Sequence, residues 1–206
     1  MDQSKIVIRR AEPTYDEGLA FARYLDQAAE GFFRFLLGHE SHEIIAKTFP
    51  WSGHDFSFEN VFFAQLDGNI AGMAAGYTAE QRRHFMKQPL KEAAGGFSFR
   101  QSLLITLLAP FWRVLETLDE GDFYVLSVAV DQHHHRKGIG SFLMDHMEDM
   151  ARGGNASRFV LDVAASNQGA QQLYRRRGMV KSSVWPKVPF FPAILIRMTK
   201  PLHSKD

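Results

Sequence analysis

The chain has no cysteine. That excludes disulfides, thiolate metal sites and a cysteine nucleophile. It has no excess of either charge: 24 Lys and Arg against 23 Asp and Glu leave a formal net charge of +1. No overall field therefore favours nucleic acid or an acidic membrane as partner. Long hydrophobic runs are missing. The most apolar stretch, LLITLLAPFW at 103–112, is too short to span a bilayer and contains a proline. The N-terminus, MDQSKIVIRRAEP, lacks the apolar core of a signal peptide. There is no internal repeat and no low-complexity linker. What is there is 206 residues, 45% hydrophobic and 23% charged, as in an ordinary globular protein. The expectation is one domain over 1–206, in the cytoplasm.

Periodicity orders the elements. KIVIRRA (5–11) reads as a strand. Thr14 and Glu17 have capping-box spacing, and Leu25, Ala28, Phe32 and Leu36 continue a helix until Gly38. A short helix follows over 42–49, before Pro50. Asp67-Gly68-Asn69 lies between two apolar runs and predicts a hairpin. Residues 78–120 form a helical insertion: Thr78 and Gln81 again suit a capping box. Phe99, Leu103, Leu107, Phe111, Leu115 and Leu118 recur as one apolar stripe, bent at Pro110 and expected to pack. Then come strand 123–130, helix 138–151, strand 158–164, and helix 167–177 closed by Gly178. MVKSSVW and AILIRM are the two closing strands.

Between the strand ending at Val130 and the helix from Gly138 stand His133, His134, His135, Arg136 and Lys137. A helix N-terminus carries unsatisfied amide donors and partial positive charge. Here the first acid is Asp145, well inside the helix, and Gly138 and Gly140 let a ligand approach the backbone. The pattern suits a phosphate or pyrophosphate. A P-loop would need Lys-Ser or Lys-Thr after its last glycine, but Gly140 is followed directly by Ser141. A dinucleotide fingerprint would need a glycine at Leu143 and a tight turn, but seven residues separate Val130 from Gly138. Asp162 sits about where that fingerprint places its ribose-binding acid. Both readings fail on spacing.

The segment resembles the acyl-CoA-binding signature of the GNAT superfamily of N-acetyltransferases, Arg/Gln-x-x-Gly-x-Gly/Ala between a strand and a helix. Gly138-Ile139-Gly140 matches, with His135 at the Arg/Gln position. Downstream, Asn167, Ala170, Leu173, Tyr174, Gly178 and Met179 resemble the family's N-x-x-A-x-x-L-Y-x-x-x-G-F/M. The resemblance implies an α/β fold: a mixed, mostly antiparallel sheet whose fourth and fifth strands run parallel and splay to admit the cofactor. It implies acetyl transfer from acetyl-CoA, without a metal, to a primary amine by direct attack in a ternary complex. Lack of cysteine agrees, since a cysteine acyl-enzyme is impossible. Val128, Ala129 and Val130 would meet the pantetheine arm, and His135, Arg136, Lys137, Gly138, Ile139, Gly140 and Ser141 the pyrophosphate. Asn167 and Tyr174, about two turns apart and so on one helix face, complete the cofactor set. Tyr174 would be the general acid. Asp122 and Glu120 are the nearest acids to the motif and stand as trial bases, with Glu30 and Glu40 as rivals.

Plainer readings stand beside these. Consecutive histidines point in different directions and no partner pattern accompanies them, so a basic loop is preferred to a metal site. Arg175, Arg176 and Arg177 offset a helix dipole. Tyr174 has a second reading as a half-buried core tyrosine, and Glu120 and Asp122 as solvated loop charges. Trp185, Phe190 and Phe191 either fill core or cover an apolar acceptor. The apolar stripe could also wall the acceptor pocket or form a homodimer face. A non-catalytic sensor or assembly module binding CoA or acyl-CoA is the alternative from another class, and a nucleotide-dependent oxidoreductase is disfavoured by the loop length. Small amine, amino acid, antibiotic and peptide N-terminus all stay open as acceptors.

Overall fold

Asp67 and Gly68 both adopt positive φ, 53° and 83°. That is the twist a two-residue hairpin turn requires, and it joins β2 (Val61–Leu66) to β3 (Asn69–Thr78). The computed structural model describes residues 6–110, 117–187 and 190–202. Within them seven strands form one sheet in the order β1-β2-β3-β4-β5-β7-β6. The others are β1 (Ile6–Arg10), β4 (Asp122–Val130), β5 (Arg158–Ala164), β6 (Val180–Trp185) and β7 (Leu195–Pro201). Every neighbouring pair is antiparallel except β4 with β5. This is the mixed sheet expected from the sequence.

Each face of the sheet carries its own core. On one, Phe62, Ala74, Phe123, Val125, Phe159 and Leu161 cluster under α7 (Ile139–Gly153). Leu143, Met144, Met147 and Ala151 recur along that helix at 0% exposure. Burying such side chains stabilises by roughly 1.5–3 kcal/mol each for the larger ones. α8 (Gln168–Arg176) packs on the same cluster through Ala170 and Tyr174, and Gly178, at φ 81°, ends it as expected. The opposite face, with Phe63, Met73, Ala75 and Ala129, is covered by α1 (Tyr15–Ala28) and α3 (Ser41–Thr48), joined by α2 (Phe32–Leu37).

Two expectations change. The helix expected to run from Thr14 to Gly38 breaks into α1 and α2, because Glu30 and Gly31 take positive φ, 52° and 83°. A glycine in the middle of a helical pattern is the reason: it adopts the left-handed turn without steric cost. The insertion between β3 and β4 holds α4 (Ala79–Arg83), α5 (Pro89–Ala93) and α6 (Phe99–Leu107). Thr78 and Gln81 form the expected capping box, and Ser98 with Gln101 a second one. The first part of the stripe expected to pack instead faces outward, while Leu118 packs against the cluster of Tyr77, Tyr124 and Val160. Phe99, Leu103 and Leu107 are 85%, 47% and 65% exposed, and the neighbouring row of Leu104, Ile105 and Leu108 meets the core. Phe111 and Leu115 lie outside the described residues. Phe190 and Phe191 are exposed and fill no core.

Candidate active site

The parallel ladder between β4 and β5 runs from Asp122↔Arg158 to Val125↔Leu161 and stops there. A bulge explains where. On the other edge of β4, Ser127 pairs with Ala75 and Val125 with Gly76, which leaves Leu126 without a partner. A bulge bends its strand, and here the bend begins where β4 and β5 part. Beyond it Asp131 N donates to Ala71 O at 2.9 Å. By antiparallel alternation Ala129 also turns its backbone toward β3, and Val128 and Val130 turn theirs into the gap. Ala129 is therefore corrected: its backbone is engaged with β3 and does not face the cofactor side. Val130 O is already held by two side chains, Gln27 Nε2 and His135 Nε2, each at 3.0 Å. Val128 and the Val130 N–H form the open edge.

The basic loop ends in backbone geometry made for close approach. Arg136 and Gly138 have φ of 63° and 81°, and Gly138 caps α7, which has no acid in its first turn. A Cβ at Gly138 would meet nothing within 4 Å, and one at Gly140 only Val130 Cγ2 at 3.7 Å. Ile139 is 1% exposed and anchors the turn in the core, so it offers a ligand its amide alone. Lys137 Nζ donates to His134 Nδ1 at 3.2 Å. His135, expected among the cofactor contacts, turns its ring back onto Val130. Its proton on Nε2 staples the loop to the strand. Among the described residues no cluster of His, Cys, Asp or Glu could hold a metal, and the three histidines do not converge.

Asn167 is the N-cap of α8, its Oδ1 accepting from Ala170 N at 3.0 Å. Tyr174 is half-buried on the same apolar cluster as Val128 and Val130. Burial pushes its phenol above the ordinary value of 10.0. The two trial bases lie elsewhere. Glu120 is an exposed turn residue. Asp122 is buried at the closed end of the β4–β5 ladder, where it accepts from Arg158 Nε at 2.6 Å and Nη2 at 2.9 Å and from Asp119 N at 2.9 Å. That carboxylate straps β4 to β5 and points to no open space, which corrects both its trial role and its reading as a solvated charge. Of the rivals, Glu40 faces solvent beside His39.

Asp162 is the acid that sequence reasoning had set aside along with the dinucleotide fingerprint. It is the first residue of β5 beyond the last rung. Its side chain, 4% exposed, accepts from Arg197 Nη2 at 2.7 Å and Nε at 3.0 Å, and from Tyr124 Oη at 3.2 Å. Burial first, then Asp162, hold the Tyr124 phenol well above 10.0. A lone acid in the apolar run RFVLDVA was the available signal.

An open strand edge, a glycine-bounded helix terminus free of acids, and a gap between parallel strands fit a ligand with an extended polar arm and a pyrophosphate, as in CoA. No helix among the described residues is long and apolar enough to cross a membrane. No curated protein matches the sequence. Solved structures do. One called an acetyltransferase is 20% identical, with TM-score 0.68, covering 96% of this chain and 100% of that one. An N-acetyltransferase from Staphylococcus aureus Mu50 is 12% identical, with TM-score 0.66 over 94% and 100%. The ribosomal-protein-S18-alanine N-acetyltransferase from Escherichia coli is 17% identical, with TM-score 0.55 over 98% and 96%. At such identities the likeness is one of fold. The acetyltransferase (GNAT) family model matches residues 22–179. That span carries both the loop before α7 and the motif of α8, so the chain belongs to the GNAT family of acetyltransferases and is an acyltransferase, which sets aside the non-catalytic reading.

Proposed function

We propose that the protein transfers the acetyl group of acetyl-CoA to a primary amine by direct attack within a ternary complex. The observation that carries this is the gap past Val125↔Leu161, bordered by the open edge at Val128 and by the α7 N-terminus. When bound, acetyl-CoA supplies a thioester whose C–S bond breaks as the amine's N–C bond forms, leaving a thiolate that takes up a proton. Amides from Arg136 to Ser141 hold the pyrophosphate, and Val128 with the Val130 N–H pairs with the pantetheine arm as an added strand would. An alkylammonium near pKa ~10 must lose a proton before it attacks. Asp162, like Asp122 buried and paired with an arginine, holds the wall of the gap just past the last rung, and the proton passes to solvent. Tyr174, kept protonated by burial, donates to the departing sulfur. Asp122 keeps β4 and β5 joined below them.

A panel of primary amines with acetyl-CoA, followed by thiol release and by mass of the product, tests this. The expected result is amine-dependent release with a 42 Da gain on the acceptor nitrogen, the ~42 Da that an acetyl group replacing hydrogen adds. Thiol release that ignores every amine would overturn it.

A further inference from the structure

A second feature opens beside the same gap. Between α1, α2 and the start of α3 lies a cavity of about 350 Å³, lined by Arg23, Asp26, Gln27, Glu30, Arg34 and His42. Gln27 is the link: it lines the cavity, and its amide reaches Val130 O on the gap side of β4. The cavity therefore borders the path of the acyl donor from the α1 side.

Its charges are balanced and arranged. Asp26 forms the floor, 4% exposed. One carboxylate oxygen accepts from Arg34 N at 3.1 Å, which fixes the turn into α2. The other stands 3.6 Å from both Arg34 Nη2 and His42 Nε2, beyond hydrogen-bond reach of either. His42 Nε2 is itself shielded from solvent and has no hydrogen-bond partner. At the rim are the exposed side chains of Arg23, Arg34 and Glu30. Glu30 makes no ion pair among the described residues. Two guanidiniums against two carboxylates sum to zero, so neither a simple anion nor a simple cation matches the whole. A group carrying both signs does: a carboxylate toward Arg23 and Arg34, an ammonium toward Glu30.

Resting on the reading of the gap as an amine acetyltransferase site, we infer that this cavity holds a dipolar, amino-acid-like head of the acceptor, remote from the amine that is acetylated. Val130, where Gln27 meets the strand, stands two residues from Val128, roughly 7 Å along it, about the reach of an extended lysine side chain. The head and the reacting amine are therefore separate ends of one acceptor, not neighbours on one carbon.

Three acceptors of matched chain length isolate the two charges. Lysine offers an ε-amine with the full head, cadaverine lacks the carboxylate, and 6-aminohexanoate lacks the α-ammonium. The expected kcat/KM is at least tenfold higher for lysine than for either, after allowing for the two equivalent amines of cadaverine. The double variant Arg23→Gln/Arg34→Gln should erase the advantage over cadaverine, and Glu30→Gln the advantage over 6-aminohexanoate. These side chains are exposed, so the variants should fold, and unchanged acetyl-CoA affinity by calorimetry would confirm that they do. Equal rates for the three, turnover confined to amines without a head, or preferences unmoved by the variants would overturn the inference while leaving the acetyltransferase reading intact. If no amine of any kind is acetylated, the reading of the gap fails first, and the inference with it.

Discussion

Asp162 and Arg197 face each other across β5 and β7, two contacts at 2.7 and 3.0 Å joining a carboxylate and a guanidinium one residue past the last rung of the parallel ladder. A paired register, Asp162↔Arg197, sets them opposite. Arg197 Nη1 also donates to Thr117 O at 2.5 Å, so the pair ties the end of the insertion to the sheet. Replacing Asp162 with Asn keeps the shape and strands Arg197 without its countercharge. The expected outcome is a fall in kcat/KM on the order of 10²-fold, as the wall of the gap shifts out of place. Stability should drop by about 3–5 kcal/mol, the usual result of removing one partner of a buried pair.

Asp122→Asn is the matched comparison. It also breaks an ion pair between strands, with Arg158, whose guanidinium the pair holds above its ordinary pKa. Arg158 keeps solvent contact, so the loss of stability should be smaller, about 3 kcal/mol or less. Folded Asp122→Asn protein should retain its kcat/KM, and Glu120→Gln should change neither stability nor rate. A fall in kcat/KM on the order of 10²-fold in folded Asp122→Asn, measured by initial rates, would return the base to the closed end of the ladder.

Most of the frame was legible because its signals are local. Asp67-Gly68 fixes a turn by backbone conformation, Thr78 with Gln81 fixes a cap, and Leu143, Met144, Met147 and Ala151 mark one face of a helix. The motif residues Gly138, Gly140 and Tyr174 were legible for the same reason. What sequence could not give was which of two apolar rows turns inward, since Leu104 and Leu108 are four residues apart, as are Phe99, Leu103 and Leu107. Nor could it give the partners of acids. Asp122 and Asp162 look alike on paper. They differ because Arg158 meets one below the point where the strands part and Arg197 meets the other above it, a matter of pairing between distant segments. The break at Glu30-Gly31 was missed because helical spacing resumes beyond it.

Gly140 tests the phosphate loop without disturbing the fold. It lies inside α7 rather than at a positive φ, and an added Cβ meets only Val130 Cγ2, at ordinary contact distance. Gly140→Val should fold and lose at least tenfold in acetyl-CoA affinity, about 1.4 kcal/mol by calorimetry. Gly138→Val should lose as much or more, but its φ of 81° adds backbone strain to the clash. Unchanged affinity in Gly140→Val would remove the loop from the cofactor site.

His54 sets the acid side of stability. It is fully buried, and its ring is satisfied as a neutral group: Nε2 donates to Thr48 O at 3.0 Å, and Nδ1 accepts from Phe56 N at 3.1 Å. Burial lowers its pKa below 6.5, and burial does the same for His146. The unfolded chain takes up protons as pH falls through about 6.5, and the folded chain resists until lower pH. The stability conferred by the neutral rings is thus present above that value and lost below it. Thermal unfolding should show Tm falling as pH drops from 6.5 to 5 (below the ordinary value of ~6.5), with a shallower slope in His54→Gln. An identical slope would mean that carboxylates alone govern the transition.

Tyr174 carries the prediction on which the proposed chemistry most depends. Its hydroxyl makes no hydrogen bond among the described residues and is not sealed from solvent, although its ring packs against the same buried cluster as Val128 and Val130. A phenol without a resident acceptor is free to donate to one that arrives. Its raised pKa keeps it protonated through neutral pH, and any stability it lends as a neutral group is lost only above pH ~10, outside the working range. Tyr174→Phe removes that oxygen and leaves the packing, so folding and acetyl-CoA affinity should be nearly unchanged. The departing thiolate, whose conjugate acid has a pKa near ~8.5, then lacks its donor, and kcat should fall by ~10²-fold or more. The loss should lie in kcat with KM for acetyl-CoA held, because the hydrogen bond strengthens only as charge builds on sulfur. Wild-type kcat in Tyr174→Phe, with whichever amine supports turnover, would mean that water protonates the sulfur and that Tyr174 is a core residue.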